Sequence, residues 1–291
     1  MDLDLSPDQV ALRAGIATLL DGRFGSDRIR NGFDRAMFEE LADAGVFSLR
    51  RDGFSWADCV VVFEQLGRHC VPGPLVESLL LGDGRVAGSG GEWIEHLDML
   101  DVVVVGEGRL IGVDPHRVEA EPSPWPLDPL TPVFRVAELP AGEPLDIADW
   151  DRPGAVVTAA FQLGLADRLT AMAVAYASER TQFDRSIGSF QAIKHMCADM
   201  LVRTEVARAA VYAAGAHLDE TPLRVKPDRP VSVAKVMAGE AAIANGKAAT
   251  QVFGGMGFTW EVDVHLYLKR AWVLDTHFHP ARVHCELIAE R

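Results

Sequence analysis

Two short stretches concentrate side chains that could do chemistry. The first, SERTQFDRSIGSFQAIKH over 178–195, joins two long helical patterns and carries more recognition chemistry than a turn requires. Arg180 offers a planar fork of donors suited to phosphate, Gln182 and Gln191 can donate and accept, and Phe183 and Phe190 can stack on or pack against a planar ring. The structural alternative is that Phe183, Ile187 and Phe190 plug the end of a helical bundle while Arg180 pairs with a carboxylate. The second stretch, QVFGGMGFTWEVDVHLYLKR over 251–270, places three glycines where backbone amides could approach a ligand closely, a pyrophosphate being one that fits. Gly254-Gly255-Met256-Gly257 follows a helical pattern with no strand before it, which speaks against a Rossmann-type site. An ordinary helix C-terminal turn is the alternative there.

The elements that must position these stretches are mostly helical. Ser6 followed by Pro7, Asp8 and Gln9 is a helix start, and the pattern runs to about Leu20. RAMFEELADAGVFSL and SWADCVVVFEQLGRHC repeat apolar residues at helical spacing, the second ending near Gly67 and the turn VPGP. Composition then shifts. SLLLGDGRVAGSGGEWIEHL is Gly-rich, MLDVVVVGEGRLIGVD reads as a β-hairpin around Gly-Glu-Gly, EAEPSPWPLDPLTP is a proline-rich connection, and PVFRVAEL gives a further strand. Long helices follow over about 155–180, 190–218 and 231–253, with a last helical stretch from about Val262, an arrangement suited to an antiparallel bundle. The expected division is a helical domain over 1–85, a short β region over 86–150 and a helical bundle over 151–291.

A chain of 291 residues, 48% of them apolar, can bury a sizeable core. Its net charge of −14 and lack of a basic stripe argue against an extended nucleic-acid groove or an anionic membrane surface as partner. The opening MDLDLSPDQVALRAGIATLL carries acids where a signal peptide would carry Lys or Arg, so a cytoplasmic location is expected. The apolar run Val156–Ala177 contains Asp167 and Arg168, which favours a buried or amphipathic helix over a membrane span. Cys59, Cys70, Cys197 and Cys285 lack CxxC spacing and read as reduced thiols in packed surroundings, with no metal site expected.

Together, YASERTQFDRSIGSFQAIKHMCADM and the later QVFGGMGFTWE resemble the C-terminal domain of the acyl-CoA dehydrogenase family, and DQVALR, FEELADAGV and VFEQLGRHCVPGPL resemble that family's N-terminal helical domain. The resemblance implies a helical domain, a β domain and a C-terminal four-helix bundle, with FAD held between two subunits. It further implies that Arg180, Gln182, Phe183, Phe190 and Gln191 reach across a subunit interface to the pyrophosphate and adenosine side of FAD, and that Gln251, Gly254 and Gly255 meet the same half of the cofactor.

Departures from the family pattern refine the expectation. Asp184 stands where the family usually has Gly, and Ser186 where it often has Pro. Family members remove the acyl α-proton with a Glu in a YEG-like stretch. Here the neighbourhood reads DTHFHPARVH, with Phe278 at that position, and the other known placement of the base falls near Gly154. No catalytic residue is therefore assigned; His277, His279, Asp275 and Glu261 are the titratable groups nearby, each with a surface or structural reading. The TEPxxGSD-like loop and WITN-like strand that cover the flavin ring are also missing from Val86–Ile147. These features are expected of the smaller, base-lacking subunit of a hetero-oligomeric acyl-CoA dehydrogenase, an α2β2 heterotetramer like those of actinobacteria that act on steroid-derived CoA thioesters. Its catalytic partner subunit would supply the base, and an acceptor such as an electron-transfer flavoprotein would take the electrons. A self-sufficient homodimer with a relocated base and a purely structural subunit are the two rival expectations.

Overall fold

The computed structural model describes residues 4–106, 108–220 and 228–290. In chain order the elements are α1 (Pro7–Arg23), α2 (Ser26–Arg30), α3 (Arg35–Asp43), α4 (Trp56–Arg68), α5 (Leu75–Leu81), β1 (Ala87–Ser89), β2 (Trp93–Glu95), β3 (Val102–Val105), β4 (Ile111–Val113), β5 (Ala120–Pro122), β6 (Val133–Val136), β7 (Glu143–Pro144), α6 (Asp151–Glu179), β8 (Thr181–Gln182), β9 (Arg185–Ser186), α7 (Gln191–Leu218), α8 (Asp228–Phe253), α9 (Val264–Thr276) and α10 (Ala281–Ala289). The protein is mainly α with a small β portion, as its periodicity predicts. The chain forms two compact units. One gathers the described residues up to Ser26, Trp56–Cys70 and those from Ala155 onward; the other gathers Asp27–Ser55 and the described residues of Val71–Gly154.

The second unit holds two short sheets, ordered β1-β3-β4-β7 and β2-β6-β5. The hairpin expected around Gly106 is β3–β4, antiparallel with Val103 opposite Val113, while Glu107 at its turn lies outside the described residues. The structure adds one helix to this segment and corrects one expectation. The residues SLLL belong to α5, whose end is set by Gly82 in the left-handed conformation at φ 66°. The proline-rich connection contains β5, which pairs with β6 at the sheet edge, where Pro122 need not donate to the ladder. Phe38 stacks on Phe47 at 4.4 Å, and Arg35 grips Asp101 with both guanidinium nitrogens, at 2.9 and 2.8 Å. The hydrogen bond from Arg35 holds the Asp101 carboxyl below the usual carboxylate range.

In the first unit, α6 is the central element. A β-carbon at Gly67 on α4 would collide with the Phe161 carbonyl oxygen, and one at Gly164 on α6 with that of Glu64, so the two helices cross with their backbones touching. Asp167, within the apolar run of α6, pairs with Arg68 of α4 and, at 3.1 Å, with Arg208 of α7. Glu64, buried on α4, accepts from Tyr212 at 2.6 Å and from Arg208. Asn245 of α8 sits fully buried within donor reach of Met200 O and Thr204 Oγ1, both at 3.0 Å, and of Thr170 Oγ1 at 3.2 Å. One amide thus touches α6, α7 and α8. Among the described residues no helix is long and apolar enough to cross a membrane. No group of three or more His, Cys, Asp or Glu among them is arranged for a metal ion.

The contact between α4 and α6 yields a stability prediction. Gly164→Ala forces a methyl group into a carbonyl and is expected to cost about 1–3 kcal/mol or more, read as a lower denaturant midpoint than that of the wild-type chain.

Candidate functional site: an exposed half-site at one end of the helical bundle

The first candidate stretch folds as a hairpin between α6 and α7. Thr181 pairs with Ser186 and Gln182 with Arg185, leaving Phe183 and Asp184 as the two turn residues, with φ of 54° and 60°. Two consecutive left-handed residues are what a two-residue type I′ hairpin demands. This explains the family's Gly at the position of Asp184, since glycine adopts that conformation without steric cost. The chain then tucks inward. Ile187 N–H donates to Arg180 O at 2.8 Å, the Ile187 side chain is buried, and the close approach of Gly188 to the Ala177 carbonyl admits no β-carbon without a shift.

The turn throws its functional side chains outward. Phe183 is 84% exposed, and Arg180, Gln182 and Gln191 are exposed as well. Phe190 is half-buried and meets Phe183 edge-on at 6.0 Å. The plug alternative holds for Ile187 alone; Phe183 seals nothing, and Arg180 makes no ion pair among the described residues. Sequence reasoning missed Arg185, whose guanidinium lies 4.1 Å from the centre of the Phe190 ring. An Arg five places before Phe190, in a stretch already rich in recognition groups, was the available signal.

The second stretch continues α8 as a 3-10 turn over Gly254–Phe258, so the helix-end reading of its backbone is correct. Its glycines differ in purpose. Gly254 has φ 62°, which favours glycine, and a β-carbon at Gly257 would lie 2.8 Å from Thr250 O. Gly255 has neither constraint: its β-carbon would stand in open space. Nothing inside the fold requires glycine there, whereas an approaching ligand would. Gln251 and Gly254 are exposed beside it. The two stretches are joined by Tyr176, one turn before Arg180, which stacks on Phe253 at 4.1 Å and points its hydroxyl at Met256 Sδ at 3.8 Å. All eight residues expected to meet the cofactor thus lie near one end of the bundle, and the guanidinium, amides, aromatic face and open glycine fit an elongated anion with a planar ring, such as the dinucleotide half of FAD.

Phe278, which the resemblance sets against the family's base, is also on this unit. Phe278 and His279 both have positive φ, 49° and 71°, in the turn between α9 and α10. The Phe278 carbonyl accepts from His284 Nε2 at 2.8 Å, so that nitrogen carries the proton, and Nδ1 accepts from Ser232 at 3.1 Å. Burial lowers the His284 pKa, in keeping with a neutral ring. Glu261 and His279 are exposed and His277 is half-buried. Asp275 instead directs Oδ1 toward Gly239 of α8. Beneath it Lys235, fully buried, donates to Leu274 O at 3.0 Å and Asp275 O at 3.2 Å, capping the end of α9 with a cation. The expectation of four packed thiols is corrected for two of them: Cys59 and Cys70 are buried, but Cys197 is half-buried and Cys285 exposed, on outward-facing positions of their helices.

Residues 152–291 match the family model for the acyl-CoA dehydrogenase C-terminal domain. The chain shares the fold of the ChsE4–ChsE5 complex from Mycobacterium tuberculosis, with a TM-score of 0.80, 21% identity, and coverage of 99% of this chain and 98% of that one. A variant of the Tcur3481–Tcur3483 steroid ACAD gives a TM-score of 0.81 at 18% identity, covering 97% and 96%. It is also 30% identical to the acyl-CoA dehydrogenase IpdE2 of Mycolicibacterium smegmatis, over 92% of this chain and 93% of the relative. The chain belongs to the acyl-CoA dehydrogenase family, whose members are oxidoreductases acting on a CH–CH bond.

Two predictions follow from the local geometry. Asp184→Gly relieves a left-handed non-glycine residue and is expected to stabilise the chain by roughly 1 kcal/mol, measured by thermal melting. Burial depresses Lys235 from its ordinary 10.5 to about 8. Between those values the unfolded chain binds more protons than the folded one, so stability contributed at this site rises with pH across the window. Comparing denaturant unfolding of the wild type and Lys235→Met from pH 8 to 10.5, the wild type is expected to gain on the variant as pH rises.

Proposed function

We propose that this chain is the smaller subunit of a hetero-oligomeric, FAD-dependent acyl-CoA dehydrogenase, completing the cofactor site of a catalytic partner of the same family. The observation that carries the reading is the cluster of Arg180, Gln182, Phe183, Gln251, Gly254 and Gly255. These recognition groups are exposed, and their side chains make no hydrogen bond or ion pair among the described residues. Arg180 and the amides of the Gly-rich turn would hold the pyrophosphate, with Gln182, Gln191 and Gln251 supplying further hydrogen bonds and Phe183 and Phe190 flanking the adenosine side. FAD, when bound, supplies the acceptor for the hydride that leaves the acyl β-carbon. This chain's part is binding and orientation. Removal of the α-proton falls to the partner, because Phe278 has no group to accept it.

A second surface supports assembly. On α7, Leu201, Val202 and Val206 are 52%, 61% and 47% exposed, and Val174 on α6 is 45% exposed. Such a run of apolar side chains on adjoining helices suits a protein partner. A steroid-derived acyl group is the substrate class we favour, by analogy with the steroid ACAD whose fold the chain shares. An electron-transfer flavoprotein suits as the acceptor, and the cytoplasm as the compartment.

The test is flavin absorbance per chain, for the protein expressed alone and together with an acyl-CoA dehydrogenase partner. The expected result is a colourless lone chain and about one flavin per heterodimer, the cofactor binding only where both halves are present. Arg180→Ala, Gln251→Ala and Gly255→Val are each expected to lower the flavin content of the complex while leaving its melting temperature without cofactor unchanged. Stoichiometric flavin on the lone chain, with acyl-CoA turnover, would overturn the reading.

A further inference from the structure

A set of buried polar atoms without partners lies inside the bundle, apart from the exposed half-site. Thr158 and Gln162 are both fully buried on α6. Their spacing of four residues places them on the same helix face, one turn apart. Thr158 Oγ1 and both polar atoms of the Gln162 amide make no hydrogen bond to the protein. Native interiors rarely leave such atoms unmet, and three together on one helix face call for a partner outside the chain.

The neighbouring helices show where that partner would sit. A β-carbon at Gly239 of α8 would lie 2.9 Å from Asp275 Oδ1, 3.4 Å from Gln162 Nε2 and 3.7 Å from Gln162 Oε1. The carboxylate of α9 and the amide of α6 therefore converge over the same bare Cα without bonding to each other. A single bridging molecule is the size of group that links polar atoms so placed.

The donor set selects its chemistry. Asp275 accepts only, Gln162 offers one acceptor and one donating nitrogen, and the Thr158 hydroxyl can do either. The complementary group donates twice and accepts twice and carries no charge. An anion would face the Asp275 carboxylate; a cation would face the amide N–H groups and lie near the Lys235 ammonium.

We propose that Thr158, Gln162 and Asp275 bind one buried water molecule beside Gly239, and that this water positions the Asp275 carboxylate at the C-terminal end of α9. Lys235 already holds the main chain of that end through Leu274 and Asp275. With the water in place, the turn that carries Phe278 starts from a helix end tied to α8 by a cation and to α6 by a solvent bridge.

A high-resolution crystal structure of the full chain, alone or in its complex, tests this together with the Gln162→Met variant. The expected result is a discrete density peak within hydrogen-bonding distance of both Gln162 and Asp275, absent from crystals of the variant. Gln162→Met is expected to melt about 2–4 °C lower, because the water and Asp275 lose partners. A wild-type structure with no peak there would overturn the proposal. So would a Gln162→Met protein that melts at or above the wild type, since removing two unmet polar atoms from a dry site is stabilising. Should the variant fail to fold, the wild-type density alone decides.

Discussion

The bundle depends on one amide. Asn245 is buried where α6, α7 and α8 meet, and its nitrogen reaches carbonyl or hydroxyl oxygens on both neighbouring helices, while Arg203 donates to its oxygen at 3.3 Å. Buried there, a side chain of this kind has few alternatives to these partners. A slide of any of the three helices by one residue would strand it without partners, and an unmet buried amide is costly. Apolar packing by the many alanines of these helices tolerates several registers; the amide selects one.

Helix register at the middle of the bundle decides geometry at its ends. With α6 and α8 held together by Asn245, Tyr176 arrives opposite Phe253 and stacks on it. That contact brings Arg180 and the glycine turn to the same end although they are distant in sequence. The outward aim of the site has a second cause, the left-handed pair Phe183–Asp184. Strain of this kind persists when the surroundings fix it, here through Ile187 buried at one side and the Gly188 contact with Ala177.

The helix crossings also carry more charge than apolar packing needs. Glu64, Arg208, Asp167 and Arg68 form a network across α4, α6 and α7, and Lys235 is enclosed near the end of α9. Glu64 is buried while Arg68, Asp167 and Arg208 are half-buried, so the network constrains which helices can be neighbours more than it adds stability. The turn after α9 belongs to this logic: Phe278 gives its carbonyl to His284, which helps hold the turn in place.

Much of this was legible in the residues. Helical periodicity located the long helices to within a few residues, because the apolar spacing of a helix is a local property. RTQF…FQ and QVFGGMG marked the candidate site and the family it resembles, because recognition chemistry needs particular side chains at particular offsets. The helix α5 and the edge strand β5 were not legible, since Gly82 and Pro122 read as loop punctuation until their neighbours are known. Direction, above all, belonged to the tertiary structure. Whether Phe183 turns out, Ile187 in, or Asp275 toward Gly239 depends on contacts between residues far apart in the chain. The sequence by itself determined which residues could recognise a ligand, because side-chain chemistry travels with the residue. Only the folded chain decided which of them face outward together, because that is set by long-range packing and by where each buried polar group finds its partner.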